Sequence, residues 1–233
     1  MAKRESTLKN MLVSLLVITV VTGGILGFVY SITKDAIAES KAKKNQEAIN
    51  TVLPLNCEVT NDTITIMYKD SEDDDAEEIP YFFNVAYNSN NEFQGTAIKA
   101  TADGFGGIIE IMLGITSDDT IRGVSILSHS ETPGLGANMT GDFKEQFKDK
   151  MPGGNFILEV TKSNEQNKVD AITAATISSK ALTKAVRLAY KCYEENKALF
   201  VKQTTEVSTS SAADASTDSP NELEITEGGT DNE

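Results

Sequence analysis

The ten residues Asp170-Ala171-Ile172-Thr173-Ala174-Ala175-Thr176-Ile177-Ser178-Ser179 set four hydroxyl side chains and three alanines behind a single acid, and they lead directly into the clearest amphipathic helix pattern of the chain. Small residues let a ligand approach the backbone, and hydroxyls offer a point of attachment. The start of a helix adds N–H groups without intrahelical partners, which favour a phosphate. The stretch therefore reads as a phosphate seat. The same composition also suits a plain Ser/Thr N-cap, and on these residues alone both readings stand.

Two other stretches could carry chemistry. Thr101-Ala102-Asp103-Gly104-Phe105-Gly106-Gly107 precedes a strand pattern, so it matches neither the dinucleotide-binding fingerprint nor the P-loop, both of which open a helix. Its glycines serve either a hairpin turn or a close approach to a ligand. The second stretch, His129-Ser130-Glu131-Thr132-Pro133-Gly134-Leu135-Gly136-Ala137-Asn138, gathers the only histidine, a carboxylate, hydroxyls and two glycines after a strand. Loops on a rigid sheet are where binding residues concentrate. His129 as a general base would need a nucleophile and an orienting acid, and nothing in the sequence places them.

Composition narrows the chemistry further. Two cysteines, Cys57 and Cys192, and one histidine exclude a four-cysteine iron–sulfur cluster, a Cys-x-x-Cys-His haem site and a structural zinc site of the usual ligand set. Any redox role then falls to an organic cofactor. The cysteines either form one disulfide or remain two separate thiols. The net charge of −14 excludes a general nucleic-acid role, which requires a basic surface. Eight of the acids lie after Lys202 with no base among them, leaving −6 on the rest.

Several elements must position these residues. Residues 11–32, MLVSLLVITVVTGGILGFVYSI, contain no charge. As a helix they span roughly 30 Å, the hydrocarbon thickness of a bilayer, and they are too long for a signal-peptide core. An uncleaved transmembrane helix is expected, after a short cytoplasmic N-terminus of residues 1–10. Lys3, Arg4 and Lys9 before it and Lys34, Lys41, Lys43 and Lys44 after it leave the positive-inside rule nearly balanced. Residues 33–54 are rich in Ala, Lys, Glu and Gln and read as a helical stalk ending at Pro54.

Beyond Pro54 the period shifts toward two. Strands are expected at 63–68, 81–87, 93–101, 108–115, 120–127 and 155–160, separated by turn chemistry such as Asn88-Ser89-Asn90-Asn91 and Pro152-Gly153-Gly154. The acidic run 72–78 lacks the spacing of a calcium loop and reads as exposed. Short connections imply antiparallel neighbours and an α+β domain with a twisted sheet. Two helices fit around it, one at 142–151 with Phe143 and Phe147 four apart, the other carrying Leu182, Val186, Ala189, Tyr190 and Tyr193 on one face. Residues 203–233 are too poor in large apolar side chains to bury much surface and read as a disordered acidic tail.

Taken together, Gly104-Phe105-Gly106-Gly107, Glu131-Thr132-Pro133-Gly134-Leu135-Gly136 and Asp170-x-x-Thr173-Ala174-Ala175-Thr176, in this order, resemble the FMN-binding domain of flavinylated electron-transport proteins. With the single anchor, the chain resembles the G-subunit family of the Rnf complex, an ion-translocating ferredoxin:NAD oxidoreductase, over about residues 8–200. The resemblance implies an FMN-binding domain at 55–202 on the extracytoplasmic side of the cell membrane. It implies that Thr176 carries FMN through a phosphoester made by a separate flavin transferase, which would recognise Asp170 and Thr173. Ala175 belongs to the same motif, and Glu131, Thr132, Leu135 and Gly136 would lie near the flavin. The chain would transfer electrons without catalysing a reaction alone, with the other membrane and peripheral Rnf subunits as partners. Where many relatives have Gly, this chain has Ala174. The C-type subunit of the sodium-translocating NADH:quinone oxidoreductase is similar, and an anchored extracytoplasmic binding module without redox function is the alternative from another class.

Overall fold

A computed structural model describes residues 8–54, 57–60, 62–70, 77–150, 157–159 and 168–213. The first helix, α1 (Leu8–Val52), joins the apolar stretch and the stalk without a break, because nothing between them stops a helix before Pro54. Among the described residues it is the one helix long and apolar enough to cross a membrane. Its apolar side chains from Leu8 to Ile37 are exposed, whereas Ala48, Ile49 and Val52 are buried. The sparse apolar positions of the stalk therefore have a plain cause: only its last turns dock on the rest of the chain.

Six antiparallel strands follow: β1 (Glu58–Val59), β2 (Ile64–Tyr68), β3 (Ile79–Tyr87), β4 (Phe93–Asp103), β5 (Ile108–Thr116) and β6 (Ile121–Ser128). They form one sheet in the order β1-β3-β4-β5-β6, and β2 shares an edge of β3 with β1. All sequential pairs from β3 to β6 are antiparallel neighbours, as loops of a few residues require. A 3-10 helix (Gly136–Thr140), the short helix α2 (Asp142–Glu145), a parallel pair β7 (Ile157–Glu159) and β8 (Lys168–Asp170), and the long helix α3 (Thr176–Ala213) complete the order.

One sheet face presents Phe83, Val85, Ile98, Ile111 and Leu113 to Leu182, Val186, Ala189 and Tyr193 of α3, and this is the main core. The opposite face is covered only where α1 ends, and there Ala86, Ala97 and Met112 meet Ile49, Val52 and Leu53. Strand alternation disappears where both faces are covered, so Thr96, Ala97 and Ile98 are buried in succession. Gly114 lies so close under α1 that a Cβ there would sit 2.1 Å from the Val52 carbonyl oxygen.

Helix α3 is held near its middle by polar contacts with the β5–β6 turn. Tyr190 Oη donates to the Asp119 carbonyl at 2.9 Å, Tyr193 Oη donates to Asp119 Oδ1 at 3.0 Å, and Lys197 Nζ contacts both Asp119 carboxylate oxygens. Asp119 occupies the left-handed region (φ 64°) in the β5–β6 turn, a conformation that Asp tolerates better than most residues.

The helix expected at 142–151 is shorter than its pattern. Phe143 and Phe147 do pack edge to face, with centroids 5.8 Å apart. Asp149, however, turns into the left-handed region (φ 59°). Its N–H donates to the Ile121 carbonyl at 2.7 Å, and the Ile121 N–H donates to Lys150 O at 2.9 Å. Pairing with the start of β6 takes the backbone groups that further helix would need. The helical backbone of α3 runs past Lys202 to Ala213. The remaining expected tail, most of the acidic run 72–78, the turn 152–154 and the flanks of the strand expected at 155–160 lie outside the described residues. Cys57 and Cys192 are separate free thiols.

Replacing Gly114 with Val should lower the melting temperature followed by circular dichroism, with a loss of roughly 2 kcal/mol from overpacking against Val52. A melting temperature equal to that of the parent would show that α1 yields at this contact.

Candidate functional site

Glu131 leaves the end of β6 with only 5% of its surface exposed. Its Oε2 accepts a hydrogen bond from Ser178 Oγ at 2.6 Å, and its Oε1 accepts one from the Gly106 N–H at 3.0 Å. The Glu131 N–H donates to His129 Nδ1 at 3.2 Å. Burial alone would push the carboxyl's pKa up. The Ser178 hydroxyl, the main-chain N–H groups of Gly106 and Phe105 and the nearby His129 outweigh it and hold the pKa below the ordinary glutamate value.

The glycines of the two loops answer to this carboxylate. A Cβ at Gly104 would lie 2.2 Å from Glu131 Oε1, one at Gly136 would lie 2.4 Å from Oε2, and one at Gly106 would lie 2.2 Å from the Ser130 carbonyl oxygen. The 104–107 stretch is a hairpin turn, closed by the Gly104 N–H on Gly107 O at 2.9 Å. It is also a place of close approach, but the approaching group is the 130–131 backbone and side chain. In the next loop Leu135 and Ala137 both donate to the Thr132 carbonyl, and Gly134 takes a positive φ of 78°.

The start of α3 forms the other side. Ala174 is left-handed (φ 59°), a conformation that glycine adopts without the strain an alanine bears. Ala175 precedes the first helical residue, Thr176, and has no side-chain acceptor for the first-turn N–H groups. Two of the four hydroxyls of the stretch, both within the first turn, are engaged elsewhere. Ser178 donates to Glu131, and Ser179 accepts from the Ile172 N–H at 2.9 Å and donates to the Ala175 carbonyl at 2.9 Å. A plain Ser/Thr cap is therefore not what these hydroxyls form.

Between the two sides is a cleft of about 400 Å³. Glu131, Thr132, Leu135 and Gly136 line one wall, Ala174, Ala175, Thr176, Ile177 and Ser178 the other, with Phe105 at the edge. Thr176 is exposed, as are the apolar side chains of Phe105 (69%), Ile177 (56%) and Leu135 (42%). A hydroxyl at a helix start beside an exposed apolar rim suits a ligand with a phosphate at one end and a flat apolar ring at the other. The residues present thus fit FMN.

Of the residues singled out from the sequence, Glu131, Thr132, Leu135, Gly136, Ala175 and Thr176 meet in this cleft. Asp170 does not. The Gln146 side chain clamps its main chain, accepting the Asp170 N–H at 2.8 Å and donating to its carbonyl at 3.2 Å, and Asp170 borders a neighbouring cleft with Asn138, Thr140 and Phe143. Thr173 is exposed on the turn before α3 and is outside the cleft lining. Sequence reasoning missed Phe105, Ile177 and Ser178. An aromatic residue between glycines was the available signal for Phe105, whereas nothing in the sequence marks Ser178 as the partner of an acid 47 residues away.

An FMN-binding domain family matches residues 104–191, from the hairpin glycine to Lys191 in α3, and an RnfG N-terminal region family matches residues 1–52. The chain is 33% identical to the G subunit of the proton-translocating ferredoxin:NAD(+) oxidoreductase complex of Clostridium ljungdahlii, over 72% of this chain and 81% of that protein. It is 31% identical to the G subunit of the Na(+)-translocating ferredoxin:NAD(+) oxidoreductase complex of Acetobacterium woodii, over 77% of this chain and 88% of that protein. A crystal structure of the C-type subunit of Na(+)-translocating NADH-quinone reductase from Parabacteroides distasonis aligns with 66% of this chain and 92% of its own, at 18% identity and a TM-score of 0.49.

Two outcomes test this geometry. Ala174→Gly should raise the urea midpoint of unfolding, by up to about 1 kcal/mol of stability, because it relieves a left-handed alanine. Because the folded state holds Glu131 below its ordinary pKa, the unfolded chain binds the proton more readily, and the stabilisation is complete above the ordinary glutamate value of about 4.3. It is lost as pH falls through the depressed folded value. In Glu131→Gln this part of the acid limb should disappear from a pH series of melting curves.

Proposed function

Because the chain belongs to the family of G subunits of ion-translocating ferredoxin:NAD oxidoreductase (Rnf) complexes, we propose that it is the electron-transfer flavoprotein subunit of such a complex and that Thr176 is where its FMN is attached. The observation that carries the attachment site is the position of Thr176. Its hydroxyl is exposed, stands on the first residue of α3, and opens onto the cleft it shares with the 131–136 loop.

The chain's own residues supply binding and orientation. Thr176 Oγ1 would form the phosphoester with the flavin phosphate, and the first-turn N–H groups of α3, left without a side-chain cap by Ala175, would face the phosphate oxygens. Phe105, Leu135 and Ile177 offer apolar surface to the ring, and Thr132 offers a hydroxyl at the same wall. FMN, when bound, exchanges one or two electrons at potentials that the surrounding protein tunes. A threonine hydroxyl is a weak nucleophile, so the attachment requires a flavin transferase. Asp170 and Thr173, outside the cleft yet on the same segment, are available for that enzyme to grip. A covalent bond also suits a domain held by α1 on the extracytoplasmic side of the membrane, where a cofactor once lost is not replaced.

Produced together with a flavin transferase, the chain should fluoresce under ultraviolet light in a denaturing gel and gain the mass of FMN less one water. Thr176→Ala should be dark and of unmodified mass. Fluorescence that persists in this variant moves the attachment elsewhere.

A further inference from the structure

Among the described residues, Glu131 is the only one lining the cleft that carries a charge at neutral pH. The rest are apolar, glycine or hydroxyl-bearing, and no Lys or Arg forms an ion pair with the Glu131 carboxylate among the described residues. Its hydrogen-bond partners are dipoles, Ser178 Oγ–H and the main-chain N–H of Gly106, with the Phe105 N–H and His129 adding smaller contributions, on a side chain only 5% exposed. Dipoles hold a carboxylate ionised but leave its net charge in place, and water, largely excluded here, screens it poorly.

We propose that the Glu131 carboxylate sets the reduction potential of the flavin held in this cleft, keeping it below the value the same flavin would have in a neutral cleft. The inference rests on FMN being attached at Thr176. Full reduction of the oxidised ring at pH 8 takes up two electrons and one proton and leaves the ring with one negative charge. A fixed anion lining the same cleft raises the energy of that charged product and leaves the neutral oxidised ring nearly unaffected, so the midpoint falls. Ser178 moderates the effect as a positioning residue, because its O–H dipole points at the carboxylate. The two glycines that admit the carboxylate, Gly104 and Gly136, keep the distance between anion and cleft short, since a Cβ at either would displace it.

The test uses the full chain, flavinylated by its transferase and held in detergent, with FMN confirmed by intact mass. Dithionite supplies the electrons in a titration at pH 8, and flavin absorbance is recorded against potential. Glu131→Gln keeps the shape and removes the charge, and its midpoint should rise. Ser178→Ala keeps the charge and removes one compensating dipole, and its midpoint should fall. Glu145→Gln, on the surface of α2, should match the parent. A loaded Glu131→Gln protein with an unchanged or lowered midpoint overturns the inference. If that variant does not load, Ser178→Ala decides, and an unchanged or raised midpoint there overturns it. A parent chain that takes up no flavin refutes the attachment at Thr176 and this inference with it, whereas loaded variants sharing the parent's midpoint refute this inference alone.

Discussion

A buried carboxylate on a loop is costly unless donors surround it, and Glu131 is tolerated because three parts of the chain converge on it. The hairpin between β4 and β5 brings the Gly106 N–H, the first turn of α3 brings Ser178 Oγ, and the loop after β6 brings the carboxylate itself. The convergence demands small residues, because Gly104 and Gly136 stand where a Cβ would strike the carboxylate oxygens. What looks in the sequence like two separate glycine motifs is one steric requirement. Ser178 is two residues beyond Thr176, so the bond that satisfies Glu131 also fixes the turn of α3 from which the Thr176 hydroxyl points.

That local constraint depends on α3 being held firmly against the sheet. Its apolar face supplies one side of the main core, and Asp119 receives Tyr190, Tyr193 and Lys197 near the middle of the helix. The other sheet face is closed by the end of α1, with Val52 seated over Gly114. The same helix that carries the stretch long and apolar enough to cross a membrane therefore packs directly on the strands whose hairpin forms the cleft edge. The end of α1, the sheet and the cleft edge are joined by packed contacts.

Much of the fold was legible because its signals are local. Alternation located strands β2 to β6 to within a few residues, and the uncharged stretch and the Leu182, Val186, Ala189 spacing located the two long helices. The shortfalls have physical causes of a non-local kind. The helix expected at 142–151 stops early because Asp149 and Lys150 pair with Ile121, a residue far away in the chain. The burial of Ala97, Met112 and Gly114 on the outer sheet face depends on α1 returning to cover them. Asp170 and Thr176 are six apart in one motif, yet Gln146 holds the former at a different cleft.

The sequence by itself determined the long apolar helix able to cross a membrane, the antiparallel sheet, the long amphipathic helix and a composition too poor in Cys and His for the usual metal-ligand sets, because hydrophobic period and composition act over short range. It also carried the resemblance that points to FMN. Residue chemistry alone could not rank the four hydroxyls between Thr173 and Ser179, which are alike; the resemblance singled out Thr176. The tertiary structure separates them physically: Ser178 is taken by Glu131, Ser179 by the turn at Ile172, Thr173 lies outside the cleft lining, and Thr176 is the one of the four left exposed on it. A hydroxyl's availability depends on what folds opposite it, and that partner is set by packing across the whole domain.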